Sequence, residues 1–97
     1  MNTYDIGDVI RLSGAFTDGA DAPVDPDAVA FKLLDPAGAV AEPAPVFNDG
    51  VGLYHVDVAL AVAGVHSYRV EGTGANAAAA ERRFRVRRSL VLEAEVP

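Results

Sequence analysis

The strongest constraint on this fold is a run of alternating side chains between Gly52 and Gly74. In the first half of this run, one face carries Tyr54, Val56, Val58 and Leu60, and the other carries Leu53, His55, Asp57 and Ala59. In the second half, one face carries His66, Tyr68 and Val70, and the other carries Ser67, Arg69 and Glu71. A period of two residues is typical of half-buried antiparallel β-strands. We therefore predict two strands that fold back on each other at Ala63-Gly64.

Shorter segments of the same kind lie on both sides of this pair. We predict a lead-in edge strand within residues 1–7 and further strands at 8–17, 29–34, 39–42 and 82–88. Turn signals separate these strands, among them Asp35-Pro36-Ala37-Gly38 and Asn48-Asp49-Gly50. The alanine-rich stretch 75–80 is predicted to be a loop, because a helix this short is marginal. Gly14, in the middle of a strand, indicates a bulge or a close backbone approach.

The count of short strands, without a convincing helix, predicts an all-β fold. The pattern favours an immunoglobulin-like antiparallel β-sandwich of about seven strands over residues 1–88. A small closed barrel is the alternative. Residues 89–97 are then a C-terminal, β-prone arm, which either contacts a neighbouring subunit, folds back as an eighth strand, or is disordered.

The composition is that of one domain with one core. The 97 residues are 51% hydrophobic, and aromatic residues make up only 7%, so aliphatic side chains must fill the interior. Cysteine is absent, which excludes disulfides and thiolate metal sites and is typical of a protein assembled in the cytosol. No basic and apolar leader follows Met1, and the longest apolar run is far shorter than the roughly 18 residues that span a bilayer. We expect a soluble protein.

The charge is unevenly distributed along the chain. Residues 1–81 carry 12 acidic and 3 basic side chains, whereas residues 82–97 carry 2 acidic and 5 basic ones. The acidic body disfavours nonspecific binding to nucleic acid or to anionic membranes. The basic row consists of Arg82, Arg83, Arg85, Arg87 and Arg88. It indicates either an edge strand protected by charge, or docking onto an acidic protein such as a neighbouring copy, or nucleic-acid binding. Nucleic-acid binding is disfavoured, because the one aromatic side chain among the arginines, Phe84, is predicted to point inward.

The candidate contact residues for a partner are the arginines and the apolar residues that follow them. Phe84 and Val86 are predicted to point inward and Arg83, Arg85 and Arg87 outward. Leu90 and Leu92, in the arm, are costly to leave in water and lie beyond the last strand that a sandwich needs. We therefore list Arg83, Arg85, Arg87, Arg88, Leu90 and Leu92 as the predicted partner-contact residues.

No set of residues indicates a reaction, a cofactor or a firm metal site. The alternation places His55 on the outer face and His66 on the inner face, and neither has the spacing of a metal site. Three serines are present, but none lies in a nucleophile elbow. The acidic loop could bind calcium through its carboxylates, although its spacing is not that of an EF-hand and prolines interrupt it. That loop contains Asp18, Asp21, Asp25 and Asp27. We expect a protein that is not an enzyme.

Several motifs together resemble a known family. They are YDIGDVIRLSGAFTD, PVDPDAV, LLDPAGAV, GLYHVDV and AGVHSYRVEGTG, and they cover about residues 4–88. In this order they resemble small immunoglobulin-like structural proteins of tailed bacteriophages and prophages. One departure is His66, where that pattern usually has a large aromatic residue, and the chain after Arg88 has no counterpart.

The resemblance implies a setting rather than a site. It implies a non-enzymatic virion structural protein, either a capsid accessory (decoration) subunit or a subunit of the head-tail region. Its partners would be other virion proteins and copies of itself, without a membrane, and its location would be the virion, assembled in the host bacterial cytoplasm. The alternative is a host-surface or carbohydrate-binding module of a tail or fibre.

Overall fold

The computed structural model describes residues 2–88, and these form eight β-strands in two sheets. The strands are β1 (Asn2–Asp5), β2 (Val9–Ala15), β3 (Ala28–Leu34), β4 (Val40–Ala41), β5 (Phe47–Gly50), β6 (Leu53–Ala59), β7 (Gly64–Thr73) and β8 (Ala78–Arg87). One sheet has the order β1-β8-β7-β3-β4, and the other has the order β2-β6-β5. The predicted all-β sandwich is confirmed, with one strand more than the seven expected. The expected C-terminal arm lies outside the described residues.

One pair of neighbouring strands departs from the antiparallel rule. β1 runs parallel to β8, with Asn2 beside Phe84 and Asp5 beside Arg87. A parallel pair cannot be closed by a tight hairpin, but β1 and β8 lie at opposite ends of the sequence and need no direct connection. After β1 the chain crosses to the other sheet, where the backbone N–H of Gly7 donates to the carbonyl of Leu60. All other strand pairs are antiparallel.

The predicted hairpin at Ala63-Gly64 is wrong, although both of its strands exist. β6 pairs with β2 and β5, whereas β7 pairs with β3 and β8 in the opposite sheet. The segment between them therefore crosses from one sheet to the other. The alternation of side chains along a strand shows which of them face the core. The same alternation occurs whether the next strand in sequence pairs with it in one sheet or belongs to the opposite sheet.

The core lies between the two sheets and is aliphatic with a few phenylalanines. Phe31, Val56 and Val86 are the largest side chains that are fully buried. The remaining buried apolar residues are Ile10, Leu12, Phe16, Leu60, Val70 and Phe84. On β8, Phe84 and Val86 point inward as predicted. At Gly14 a Cβ atom would lie 2.7 Å from a methyl group of Val70, so the predicted close approach is confirmed.

The alanine-rich stretch is more ordered than predicted. Ala78, Ala79 and Ala80 belong to β8 and lie opposite Gly72, Glu71 and Val70 of β7, so the prediction of a loop across 75–80 is wrong for its second half. Pairing with β7 overrides the weak strand preference of alanine, as tertiary context often does. The loop is confined to residues 74–77, where Gly74 and Asn76 have positive φ.

Of two turns predicted from the sequence, one is confirmed and the other occurs at later residues than predicted. At Asp35-Pro36-Ala37-Gly38, the N–H of Gly38 donates to the carbonyl of Asp35, which confirms the predicted turn. Asn48-Asp49-Gly50 instead lies within β5, and the turn comes at Val51 and Gly52. Gly52 has φ of 73°, and its N–H donates to the Asp25 carboxylate at 2.7 Å. A long-range contact therefore determines where this hairpin turns.

Candidate functional site

The arginines of β8 divide between the two sides of their sheet. Arg83, Arg85 and Arg87 alternate with the buried Phe84 and Val86 and are exposed on the outer face, as predicted. Arg82 has the opposite parity and lines the opening between the sheets. The interpretation of β8 as a charge-protected edge strand is wrong for residues 84–87, because β1 covers them. Within the described part of the chain, no strand pairs with residues 78–83 on that side of β8.

Most charged side chains on the outer face of the five-stranded sheet are paired. The Lys32 ammonium lies 2.9 Å from the Glu71 carboxylate, and Arg69 lies 3.1 Å from the Glu81 carboxylate. The hydrogen bond from Lys32 lowers the pKa of Glu71 and raises the pKa of Lys32 itself. These pairs neutralise the part of the face that lies towards residues 28–32 and 69–73.

Arg87 is paired as well, but its two outward neighbours on β8 are not. The guanidinium of Arg87 lies 2.7 Å from the Asp5 carboxylate. Within residues 2–88, Arg83 and Arg85 form no ion pair. Both are exposed, so each carries an uncompensated positive charge on a protein whose net charge is −6.

Exposed apolar side chains share the outer face of the sheet with these two arginines. Val65, which is 39% exposed, is directly opposite Arg85. Arg83 lies opposite Ser67, which in turn lies opposite Leu34, and Val40 is the next residue across the sheet. Residues that are opposite each other in register share a face of the sheet. We call Leu34, Val40, Val65, Arg83 and Arg85 the arginine patch.

His55 is buried, which the sequence did not predict. It shares the outer face of the three-stranded sheet with Ser13, as expected, but only 6% of it is exposed. The ring of Phe47 on β5 stacks on it with centroids 4.9 Å apart, and its Nδ1 lies 2.5 Å from the Asp49 carboxylate. The predicted outer-face position is confirmed, and the residue is buried there because a neighbouring strand supplies a covering ring on the solvent side.

The arrangement of Ser13, His55 and Asp49 differs from a catalytic triad. Ser13 lies opposite His55 in register, and Asp49 contacts Nδ1, as an orienting carboxylate would. The other ring nitrogen, Nε2, lies 3.9 Å from the Asp57 carboxylate. In a triad that nitrogen must accept the proton of the nucleophile. Here the imidazole lies between two carboxylates instead, an arrangement suited to holding β5 against β6.

His66 occupies the inner face, as predicted, and only 4% of it is exposed. Its ring stacks on Phe84 with centroids 5.1 Å apart and planes within 6°. Its Nδ1 lies 3.3 Å from the carbonyl of Gly64. The imidazole therefore packs as an aromatic ring in the core.

Three of the four carboxylates of the acidic loop, those of Asp18, Asp25 and Asp27, accept hydrogen bonds from the protein. Asp18 accepts from the N–H groups of Ala20 and Ala22. Asp25 accepts from the N–H of Gly52 and the hydroxyl of Tyr54, and Asp27 accepts from the N–H of Ala75. Among the described residues, no three histidine or acidic side chains converge as a metal site would require. These carboxylates hold loops in place.

The three-stranded sheet ends in an open edge that the sequence analysis did not identify. A cleft of about 620 Å³ lies along β2, lined by Arg11, Ser13, Gly14, Ala15, Asp49, Leu53, Tyr54 and Arg82. No sequence signal marks it, because an edge strand and a central strand have the same alternation. Leu90 and Leu92, the other predicted contact residues, lie outside the described residues.

Comparison with known proteins identifies the architecture. The crystal structure of the Lin-41 filamin domain matches this chain with a TM-score of 0.68 at 11% sequence identity. The match covers 91% of this chain and 85% of that chain. The fold is immunoglobulin-like. At this identity the match establishes the fold alone. No protein-family model matches the sequence, and no curated protein matches it.

Proposed function

We propose that this chain is a non-enzymatic structural module that binds an acidic protein surface through the arginine patch. The observation that carries the proposal is the pair of exposed guanidinium groups at Arg83 and Arg85, which form no ion pair within residues 2–88 and share a sheet face with three exposed aliphatic side chains. Immunoglobulin-like sandwiches typically serve as binding and structural domains. Arginine is enriched at protein interfaces because it combines charge with a stem and a planar group that pack on apolar surface.

The three tyrosines do not form a sugar-binding surface, although the ring of Phe47 is 45% exposed. The rings of Tyr4 and Tyr68 pack against Phe84 with centroids 5.7 and 6.3 Å away. The ring of Tyr54 packs against Phe16 at 5.8 Å, and its hydroxyl donates to Asp25. A sugar-binding surface needs an exposed aromatic face, and the tyrosines instead present their rings to the core.

The setting that we propose is the particle of a tailed bacteriophage, where the chain is a capsid accessory or head-tail subunit. Its support is the resemblance of the motifs between Tyr4 and Arg88 to phage structural proteins. A repetitive particle would also multiply a modest contact, because many copies bind at high effective concentration. The first test is mass spectrometry of purified particles from the phage or prophage that encodes the chain. Absence of the chain from those particles would refute the setting.

The second test measures the role of the arginine patch in binding to that partner. In the double variant Arg83→Gln/Arg85→Gln, we expect rebinding to particles that lack the chain to be at least tenfold weaker. The matched control is Ala20→Asp/Ala22→Asp, which makes the same change in net charge on an exposed loop. Binding of the wild type should also weaken as salt is added, since exposed charges are screened over about 8 Å at physiological ionic strength. Equal binding by the variant and the wild type would refute the proposed surface.

A further inference from the structure

The three-stranded sheet has an edge that can accept another strand. Among the strands of residues 2–88, β2 is the terminal strand of that sheet and pairs only with β6. It is seven residues long, contains no proline, and carries a single charged side chain, Arg11. Natural edge strands are usually short or protected by charge, proline or a bulge, because unpaired backbone groups attract another strand. The unprotected length of β2 is therefore a potential binding site for an extended segment.

Space for such a segment lies on both sides of the open edge. The cleft of about 620 Å³ runs along Arg11, Ser13, Gly14 and Ala15. A smaller cavity of about 110 Å³ lies behind Ser13, Gly14 and Ala15, towards Tyr68, Val70 and Ala80 of the opposite sheet. The side chains of an added strand would thus find open surface on the outer face and a partly apolar space on the inner face.

The charges around this edge favour an acidic strand. Arg11 lies on the outer face and Arg82 at the opening between the sheets, and both line the cleft. Asp49 is the one acidic residue in the lining. Arg11 pairs with Asp57 at 3.2 Å, so the positive charge that an acidic strand would meet without an ion pair inside residues 2–88 is that of Arg82.

We propose that the free edge of β2 binds residues 90–96 of a second copy of this chain as an added strand. That segment reads LVLEAEV, which matches β2 in length. Its odd positions are Val91, Glu93 and Glu95, and its even positions are Leu90, Leu92, Ala94 and Val96. With the even positions facing the space between the sheets, the glutamates lie on the outer face beside Arg11. Backbone hydrogen bonds supply affinity in this mode, and alternate side chains supply specificity.

A second copy fits this geometry better than the chain's own terminus. β8 ends where Arg87 lies beside Asp5, just before the chain crosses to the start of β2. From Arg87 to Leu90 the chain spans at most about 10 Å, since each step covers up to ~3.6 Å. Packed sheets are about 10 Å apart, so the linker would be fully extended with no residue left to reverse direction. A neighbouring copy has no such restriction.

This inference does not depend on the proposed function, because it uses the opposite side of the sandwich from the arginine patch. Its first test is sedimentation of the full chain over a range of concentrations. We expect reversible self-association that becomes at least tenfold weaker in Leu90→Asp/Leu92→Asp. The control is Val62→Asp, which adds a charge at an exposed aliphatic residue away from β2. A wild type that stays monomeric at about 1 mM, or a variant that associates as well as the wild type, overturns the proposal.

The second test identifies the edge that is used. The chain contains no cysteine, so single cysteines can be introduced without background. We expect an equimolar mixture of Ser13→Cys and Glu93→Cys proteins to form a mixed disulfide more readily than a mixture of Ala20→Cys and Glu93→Cys. Cross-strand neighbours on one face are about 4.5–5.5 Å apart, which is close enough for a disulfide. Equal cross-linking in the two mixtures overturns the proposal.

A charge exchange separates this contact from a general loss of stability. Arg11→Glu is expected to weaken self-association, and the added changes Glu93→Arg and Glu95→Arg are expected to restore it. Thermal unfolding of Arg11→Glu provides the control for folding, because Arg11 also pairs with Asp57 at 3.2 Å. Failure of the exchange to restore association overturns the proposal. The same holds if Arg83→Gln/Arg85→Gln abolishes self-association, because the arginine patch would then join the copies.

Discussion

Gly52 joins three parts of the sandwich, and replacing it with alanine should be severely destabilising. Its N–H donates to Asp25, and its carbonyl accepts from the N–H of Phe16 at 2.8 Å. Its φ is 73°, and an added Cβ would lie 2.5 Å from the Phe16 carbonyl oxygen and 3.0 Å from that of Val24. These are backbone atoms, so they cannot move aside as the end of a flexible side chain would.

The expected cost of Gly52→Ala has two parts. Placing a Cβ in the left-handed region costs about 1–2 kcal/mol. Overpacking against fixed neighbours costs about 1–3 kcal/mol. Together they lower the free energy of unfolding by about 2–5 kcal/mol, a large share of the ~5–15 kcal/mol typical of a domain. For a domain of this size, each kcal/mol lowers the melting temperature by roughly 4–8 °C.

Two other glycines separate these contributions. Gly7 has φ of 97° but no atom within 4 Å of an added Cβ, so Gly7→Ala should show the backbone cost alone. Gly19 has neither a positive φ nor a close neighbour, so Gly19→Ala should change stability by no more than about 0.5–1 kcal/mol. Alanine restricts the unfolded chain similarly at all three sites, so that effect largely cancels in the comparison. Urea unfolding of the three variants measures the series. If Gly52→Ala is no less stable than Gly7→Ala, the reasoning about the backbone contacts is wrong.

Three further outcomes are expected. Phe31→Ala, at a fully buried side chain, should lower the free energy of unfolding by about 3–5 kcal/mol in urea titrations. The hydrogen bond from Gly52 and then that from Tyr54 hold the pKa of Asp25 below its ordinary value of 3.8, so its ionised form stabilises the fold at neutral pH. Asp25→Asn should therefore lower the melting temperature at pH 7, with the difference from wild type shrinking as the pH falls below 3.8. Asp5→Asn removes an exposed ion pair and should cost less than about 1 kcal/mol by the same titration.

The sequence was sufficient to predict which side chains face the core, because alternation depends on each strand alone. The placement of Phe84 and Val86 inward, with Arg83 and Arg85 outward, is confirmed. The turn at Asp35 is confirmed for the same reason: its hydrogen bonds lie within five residues. Gly14 contacts Val70 of the opposite sheet, and the presence of a glycine in the middle of a strand was enough to predict a close approach there.

Apart from the alanine-rich stretch, which pairs with the neighbouring strand β7, the failures concern partners that are distant in sequence. Which sheet each of β6 and β7 joins depends on β2, β3 and β8, not on the residues between them. The burial of His55 depends on Phe47 stacking from another strand. Arg87 differs from the two arginines of the arginine patch because it forms an ion pair with Asp5, which is distant in sequence. Local patterns contain none of this information.

The parallel pairing of β1 with β8 has a consequence for how the protein is made. β1 pairs with β8, the last of the described strands, so β1 has no partner in its sheet until about residue 87 has been added. Folds dominated by pairings between distant segments fold slowly, because long loops must close first. During translation, Asn2–Asp5 must therefore wait in an unpaired state until β8 has been synthesised. A nascent chain stalled before Ala78 would lack both β8 and any site for β1.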